Sequence, residues 1–231
     1  MGSLEGKKAA GYAAAQRVTS GMKLGMGTGS TAVWAIRGVG ERLAAGEITN
    51  IRAVATSSQS EMECQQLGIP LRALNDPEID GSLDLTIDGA DEVDPSLRLV
   101  KGGGGALLIE KIVAYASDAM IVVVDESKLV ENLGLAFPVP LEVLPLARVS
   151  VMNALKDLGG EPAVRMAERK MGAVITDNGN IIIDVRFSQP VDPVDMETRL
   201  SQIPGVLGNG LFTRVSPSLI VGCDDGSTKE R

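Results

Sequence analysis

Four short segments concentrate the residues able to do chemistry. Lys101-Gly102-Gly103-Gly104-Gly105 leads into Ala106-Leu107-Leu108-Ile109-Glu110-Lys111. Four glycines in a row weaken regular structure, so a loop that keeps them suits close approach of a ligand or unusual dihedral angles. Glu110 falls about one turn into a mostly apolar helical run, where partial desolvation suits a carboxylate to act as a base; an exposed helical glutamate is the competing reading. Asp88-Gly89-Ala90-Asp91-Glu92-Val93-Asp94 follows the apolar run Leu83–Ile87. Carboxylates crowded at the end of a buried strand need cations, hydrogen bonds or water around them, which points to purpose against the alternative of a solvated acidic turn. A magnesium site is a third option, but the spacing does not match an EF-hand loop and no phosphotransfer lysine loop accompanies it.

The third segment, Gly25-Met26-Gly27-Thr28-Gly29-Ser30-Thr31, reads as a turn from strand to helix. Glycines admit an anion close to the backbone, the helix start offers N–H groups, and the hydroxyls add donors, so a phosphate-type site competes here with a merely tight turn. A nucleoside-triphosphate loop would need Lys after Gly29, where Ser30 stands. A dinucleotide fingerprint would need glycine at position 30 and an acidic end to the next strand, but Ala55-Thr56-Ser57-Ser58 follows. The fourth segment, Asp125-Glu126-Ser127-Lys128, places Lys128 after the apolar run Ile121–Val124, where it either meets a ligand or is an ordinary surface lysine. Lys7 is a weaker cationic candidate. Trp34, Met62 and Cys64 are read as packing residues.

Composition narrows the chemistry further. The 231 residues hold no His, which removes Ser–His–Asp and Cys–His catalysis and His-ligated metal centres. Proton transfer then falls to carboxylates, Lys, Tyr or Cys. The 22 Lys+Arg against 30 Asp+Glu give a net charge of −8, which disfavours a nonspecific clamp on nucleic acid or an anionic membrane. Six aromatic residues (1 Trp, 2 Tyr, 3 Phe) do not make a base-stacking platform. Cys64 and Cys223 lie far apart, without the spacing of a zinc site or a disulfide framework, and fit a reducing cytoplasm. The N-terminus does not resemble an export signal, and no run is long enough to span a bilayer.

The elements that must position these loops follow from hydrophobic period. Strands are expected near Met22–Met26, Ile51–Thr56, Leu71–Leu74, Leu83–Ile87 and Met120–Val124, with helices at Ser30–Ala45, Ser58–Leu67 and Ala106–Ala116, and Ser30 and Ser58 as N-caps. This alternation implies an open parallel sheet with crossover helices, in which ligands bind beyond the carboxyl ends of the strands. After Glu131 the prolines of Phe137-Pro138-Val139-Pro140 and Pro145 break regular structure. A helix over Val149–Leu158, a hairpin over Ala173–Phe187 turning at Asp177-Asn178-Gly179-Asn180, a helix near Val194–Gln202 and strands at Val206–Phe212 and Leu219–Val221 then describe a smaller α+β unit and a return to the first sheet. The expected domains are 1–131 with 207–231, and 132–206.

In order from end to end, GTGSTA (Gly27–Ala32), TSSQSE (Thr56–Glu61), DGADEVD (Asp88–Asp94), KGGGGALLIEK (Lys101–Lys111), DESK (Asp125–Lys128), FPVPLEV (Phe137–Val143) and TDNGN (Thr176–Asn180) resemble the ribose-5-phosphate isomerases of the A type. The resemblance implies a Rossmann-like larger domain with helices on both faces of the sheet, a smaller ferredoxin-like domain, a homodimer or higher homo-oligomer, and interconversion of ribose 5-phosphate and ribulose 5-phosphate without metal or organic cofactor. It implies that Glu110 is the proton-accepting base and that Thr28, Gly29, Ser30, Thr31, Asp88, Gly89, Ala90, Asp91, Lys101, Gly102, Gly103, Gly104 and Lys128 meet the substrate; Lys7 is added as a further substrate-binding candidate. Lys101 would stabilise charge on the reacting oxygens, while Asp88 and Asp91 would hold hydroxyls and assist ring opening. A sugar-phosphate sensor on the same kind of sheet is the alternative, since fold alone does not fix function.

Overall fold

The computed structural model describes residues 3–231. In chain order the elements are α1 (Leu4–Ala15), β1 (Lys23–Met26), α2 (Ala32–Ala44), β2 (Arg52–Ala55), α3 (Ser58–Gln66), β3 (Leu83–Asp88), β4 (Glu92–Val93), β5 (Leu99–Val100), α4 (Leu107–Tyr115), β6 (Ser117–Asp125), β7 (Val139–Val143), α5 (Arg148–Asp157), β8 (Gly160–Val164), β9 (Ile181–Phe187), α6 (Pro193–Ser201), β10 (Val206–Asn209), β11 (Leu211–Phe212), β12 (Ser218–Gly222) and β13 (Thr228–Glu230). Contacts divide the chain into one compact unit of residues 1–90, 112–129 and 215–231 and a second of 91–111 and 130–214. The sequence-based division assigned 91–111 to the first domain and ended the small one at 206; the observed units differ in both places.

The first unit is an open six-stranded sheet in the order β13-β12-β6-β3-β1-β2, parallel except for β13. On one face, Leu24, Met26, Leu85, Ile87, Ile121, Val123 and Ile220 pack with Ala10, Ala14, Ala35, Ile36 and Val39 of α1 and α2. Alternate residues of a strand serve opposite faces, so this set leaves Gly25 and Thr86 to the other side, where Val113 of α4 lies close above Gly25. Helices therefore cover both faces, as a parallel sheet requires. The helix α1, which the hydrophobic period did not announce, buries small residues, Gly6, Ala10, Gly11, Ala14 and Ala15, and packs on β12 and β6. Its N-cap is Ser3, whose N–H donates to Asp224.

In the second unit β7-α5-β8-β9-α6-β10 forms an antiparallel sheet in the order β10-β7-β9-β8, the ferredoxin-like arrangement, over a core that includes Val139, Leu141, Val151, Leu155, Ile183, Val185 and Leu200. A separate three-stranded ribbon, β11-β5-β4, carries the ends of the loops discussed below.

Several local expectations change. Leu71–Leu74 is not a strand: Leu71 makes a single bridge to Ala53 beyond the edge of β2, and the chain turns at Leu74 and Asn75. Thr31, not Ser30, precedes α2, and Ser57, not Ser58, caps α3 by accepting from the Ser60 N–H in a capping box. The proline-rich break contains a strand. The Pro140 carbonyl accepts from Gly210 N–H, so its missing donor faces the same side, past the end of β10, and β7 forms without penalty. The expected hairpin has only its second arm, β9; its first arm meets it through one isolated bridge, Ile175 to Ile181, while Ala173 bridges Met166, and the turn closes from Gly179 N–H to Thr176 carbonyl. Val206–Phe212 is split at Gly210 into β10 and β11, which belong to different sheets.

Candidate active site

In the first unit the loop after β1 is built around Asp88, the last residue of β3. Asp88 is fully buried, and its Oδ1 accepts from the N–H groups of Thr28 (3.0 Å) and Gly89 (2.7 Å). That carboxylate occupies the space a side chain at position 27 would need: a Cβ on Gly27 would stand 2.2 Å from Oδ1 and 2.5 Å from the Asp88 Cα. Thr28 Oγ1 lies 2.7 Å from both Thr56 Oγ1 and Ser57 Oγ, and Gly29 N–H donates to Gln59 Oε1. Gly29 has φ +112°, a conformation open to glycine. Lys7 of α1 donates from Nζ to Ser30 Oγ at 3.0 Å. Lys7, Thr28, Gly29, Ser30 and Asp88 are thus brought together. Thr31 stands at the head of α2 without a side-chain capping bond, and Gly89 and Ala90, half-buried, follow the end of β3.

Lys128 ends a 3-10 turn capped by Asp125, whose Oδ1 accepts from Ser127. Lys128 is half-buried and forms no ion pair among the described residues, so its ammonium is available to an anion.

In the second unit the glycine loop joins β5 to α4. Lys101 is 2% exposed and Glu110 4% exposed, and Lys101 Nζ stands 3.2 Å from Glu110 Oε1. The loop backbone holds that lysine in place: its N–H donates to Gly210 carbonyl, and its ammonium lies 5.6 Å from the Phe212 ring centre. Glu110, on the first turn of α4 behind Leu107 and Leu108, is the buried carboxylate that an apolar helix start suggests, not the exposed alternative. Asp91 Oδ2 accepts from Gly103 N–H at 2.7 Å, and a Cβ on Gly103 would approach Asp91 Oδ1 to 2.5 Å. Gly102 adopts φ +106°, and Gly104 is exposed.

The acidic segment Asp88–Asp94 divides by role. Glu92 accepts from the N–H groups of Gly134 and Phe137, and Asp94 from Ser96, Arg98 and the Arg98 guanidinium, so both organise loops. Asp88 and Asp91 alone hold the glycine-containing loops.

Sequence reasoning missed several supporting residues. Thr56, Ser57 and Gln59 sit after β2, where the rule of inspecting each strand's carboxyl end would have found them. Lys111 turns away from its neighbour Glu110 to donate to Glu197 Oε1 (2.7 Å) and Leu211 carbonyl (2.6 Å). Burial lowers its proton affinity below the usual lysine range, against the opposing pull of Glu197. Arg165, following β8, donates from Nη1 to the carbonyls of Gly102 and Gly103, and pairs with Asp184 through Nε and Nη2; nothing local in the sequence marks it. Of the residues read as packing, Cys64 is buried, Trp34 is half-buried beside Tyr12 with Arg37 4.6 Å from its ring centre, and Met62 is exposed, so the packing reading fails for Met62. No described helix is long and apolar enough to cross a membrane, and among the described residues no cluster of three or more acidic or cysteine ligands could hold a metal ion.

Residues 52–226 match the family model of ribose 5-phosphate isomerase A, or phosphoriboisomerase A. The chain is 50% identical over 221 residues to ribose-5-phosphate isomerase A of Synechococcus sp. strain WH7803, covering 95% of this chain and 92% of that protein. It is 46% identical to the enzyme of Treponema denticola over 93% of this chain and 90% of the other. A D-ribose-5-phosphate isomerase solved in complex with phospho-erythronic acid superposes with TM-score 0.95 at 42% identity, covering 100% and 99% of the two chains. The isomerase of Methanocaldococcus jannaschii gives 0.90 at 43%, with 98% of each chain covered. This chain belongs to the ribose 5-phosphate isomerase A family.

Proposed function

We propose that the chain interconverts D-ribose 5-phosphate and D-ribulose 5-phosphate, with Glu110 carrying the proton. The supporting observation is the buried Lys101–Glu110 pair at 3.2 Å on a glycine loop. Moving the carbonyl from C1 to C2 oxidises C2 and reduces C1 within one molecule, so no external oxidant or reductant is needed. Glu110 takes the C2 proton of the open-chain aldose, giving an enediolate, and returns it to C1, while the proton lost from O2 is gained by O1. Lys101 offsets the negative charge on O1 and O2 as it develops, in a site where burial strengthens such interactions. Asp88 and Asp91 accept from sugar hydroxyls and assist opening of the ring. Thr28 to Thr31, Lys7 and Lys128 offer hydroxyls, backbone N–H groups and cations to the phosphate and hydroxyls.

The test is formation of ribulose 5-phosphate from ribose 5-phosphate by this chain and by Glu110→Gln. Glutamine keeps the shape and loses the base, so turnover is expected to fall by about 10²–10⁴ while substrate binding survives. Undiminished turnover in the variant would remove Glu110 from the mechanism.

The same reading makes the enzyme a cytoplasmic homodimer or higher homo-oligomer acting on a free sugar phosphate, not on nucleic acid. Exposed Leu144, Leu146 and Val149 supply an apolar surface suited to self-association. Sedimentation checks it: a monomer at micromolar concentration would contradict the oligomer.

A further inference from the structure

We infer that Arg165, aligned by Asp184, is a positioning residue that aims the peptide N–H of Gly104 at the substrate. The inference rests on the isomerase reading above for what the loop receives, but its geometry stands within the second unit alone.

Two consecutive peptide groups of the glycine loop are fixed by side chains. The Gly102–Gly103 peptide is gripped at both ends, its carbonyl by Arg165 Nη1 at 3.0 Å and its N–H by Asp91 Oδ2 at 2.7 Å. The next peptide has its carbonyl, that of Gly103, on the same Nη1 at 3.0 Å. In a trans peptide the C=O and N–H point in opposite directions. The described chain has no cis bond, so the Gly104 N–H must point away from Arg165. Gly104 is exposed, and among the described residues no carbonyl or side chain accepts from its N–H, which leaves a donor of fixed direction facing outward from the loop. Glycine loops resist such fixing, because each residue has unusually wide backbone freedom to lose. A carbonyl clamp at two successive positions supplies that restraint.

Asp184 completes the device. It takes Nε and Nη2 of Arg165, leaving Nη1 to the two carbonyls, and it stands on β9 in register with Pro140 of β7 and Ala163 of β8. The guanidinium therefore spans from a rigid sheet to a loop with no regular structure. Lysine could supply charge but not this fork, since its donors diverge from one nitrogen. An N–H held before substrate arrives contributes most where charge develops during the reaction, on the oxygens of the enediolate, and least to groups whose charge is constant.

The experiment compares the full chain with Arg165→Lys and Asp184→Asn. Amide exchange of Gly103 and Gly104 in the free protein is expected to accelerate in both variants. The kcat for ribose 5-phosphate is expected to fall at least about tenfold in Arg165→Lys, less in Asp184→Asn, with little change in KM. The inhibition constant of phospho-erythronic acid, whose carboxylate resembles the enediolate, is expected to rise in parallel, while that of inorganic phosphate stays the same. The double variant is expected to lose no more than Arg165→Lys alone, because Asp184 acts through Arg165. A residue that only holds the fold together would lower the melting temperature and leave the ratio of the two inhibition constants unchanged; that result overturns the inference. A parent unable to isomerise would refute the function on which the inference builds, and unaltered amide exchange would refute the clamp whatever the activity.

Discussion

The two glycine loops solve the same steric problem and then diverge. In each, an aspartate carboxylate takes the place a side chain would occupy, at Gly27 for Asp88 and at Gly103 for Asp91, and accepts a backbone N–H from the loop it displaces. Around Thr28 the nearest restraints are neutral, two hydroxyls and the Gln59 amide, with the Lys7 ammonium on the neighbouring Ser30. Around Gly103 they are charged: Arg165 on the carbonyls and the Lys101–Glu110 pair beside them. Donors that meet a phosphate, whose charge is the same before and after reaction, act on binding. Fixed charges suit atoms whose charge appears only in passing. The first loop should therefore be felt mainly in binding and the second in turnover.

Alanine at each glycine should separate the loops most sharply. In Gly27→Ala the new methyl meets the Asp88 backbone as well as its carboxylate, so the strand end must shift; a loss of about 1–3 kcal/mol of stability is expected along with activity. In Gly103→Ala the obstacle is only the Asp91 carboxylate, which can rotate away. Roughly tenfold lower kcat with an unchanged melting temperature is expected there. Thermal melts and steady-state kinetics on the pair decide it, and equal loss of stability in both would erase the distinction. Lys128→Ala, by removing a cation of the first unit, should raise KM several-fold and leave kcat near the parent value; a fall in kcat alone would place Lys128 with the reacting atoms instead.

Thr28→Val asks less of the molecule. It removes the hydroxyl that meets Thr56 and Ser57, worth about 1 kcal/mol, and should weaken substrate binding more than turnover. The smallest expected effect is on Cys64, on the buried face of α3, the helix whose start carries Ser57 and Gln59. Burial pushes its thiol up to about 12, so alkylating reagents at pH 8 should leave it untouched in the native chain and modify it after unfolding. Rapid native labelling would mean that α3, and the loop it supports, opens readily.

Much of the parallel sheet was legible, because β1, β2, β3 and β6 are short apolar runs divided by helical periods. The helix starts slipped by one residue where two hydroxyl residues stand side by side, at Ser30 and Thr31 and at Ser57 and Ser58; either can cap, and tertiary contacts choose. The helix α1 was silent because its buried face is made of alanine and glycine, which give little periodic signal. The ribbons β4, β5 and β11 have two residues each, too few for any alternation to register. At the candidate site, Glu110, Lys101, Asp88 and Asp91 stand out in the sequence through unusual local composition. Arg165 was not, since it reaches the glycine loop across 62 positions and sits in a segment with no unusual residues around it.

The return strand β12 sets an order of events for a chain made on a ribosome. The helix α1 packs on β12 and β6, Ser3 donates to Asp224, and Arg17 pairs with Glu230. Residues at and around α1 therefore wait for partners 213 and 221 positions later before their seat is complete. The unit of residues 91–111 and 130–214 has all of its strands some seventeen residues sooner, at about one to three seconds of synthesis. During that interval α1, with Lys7 on it, is a half-seated helix of small residues, and the nascent protein holds a finished glycine loop before it has a finished sheet to work with.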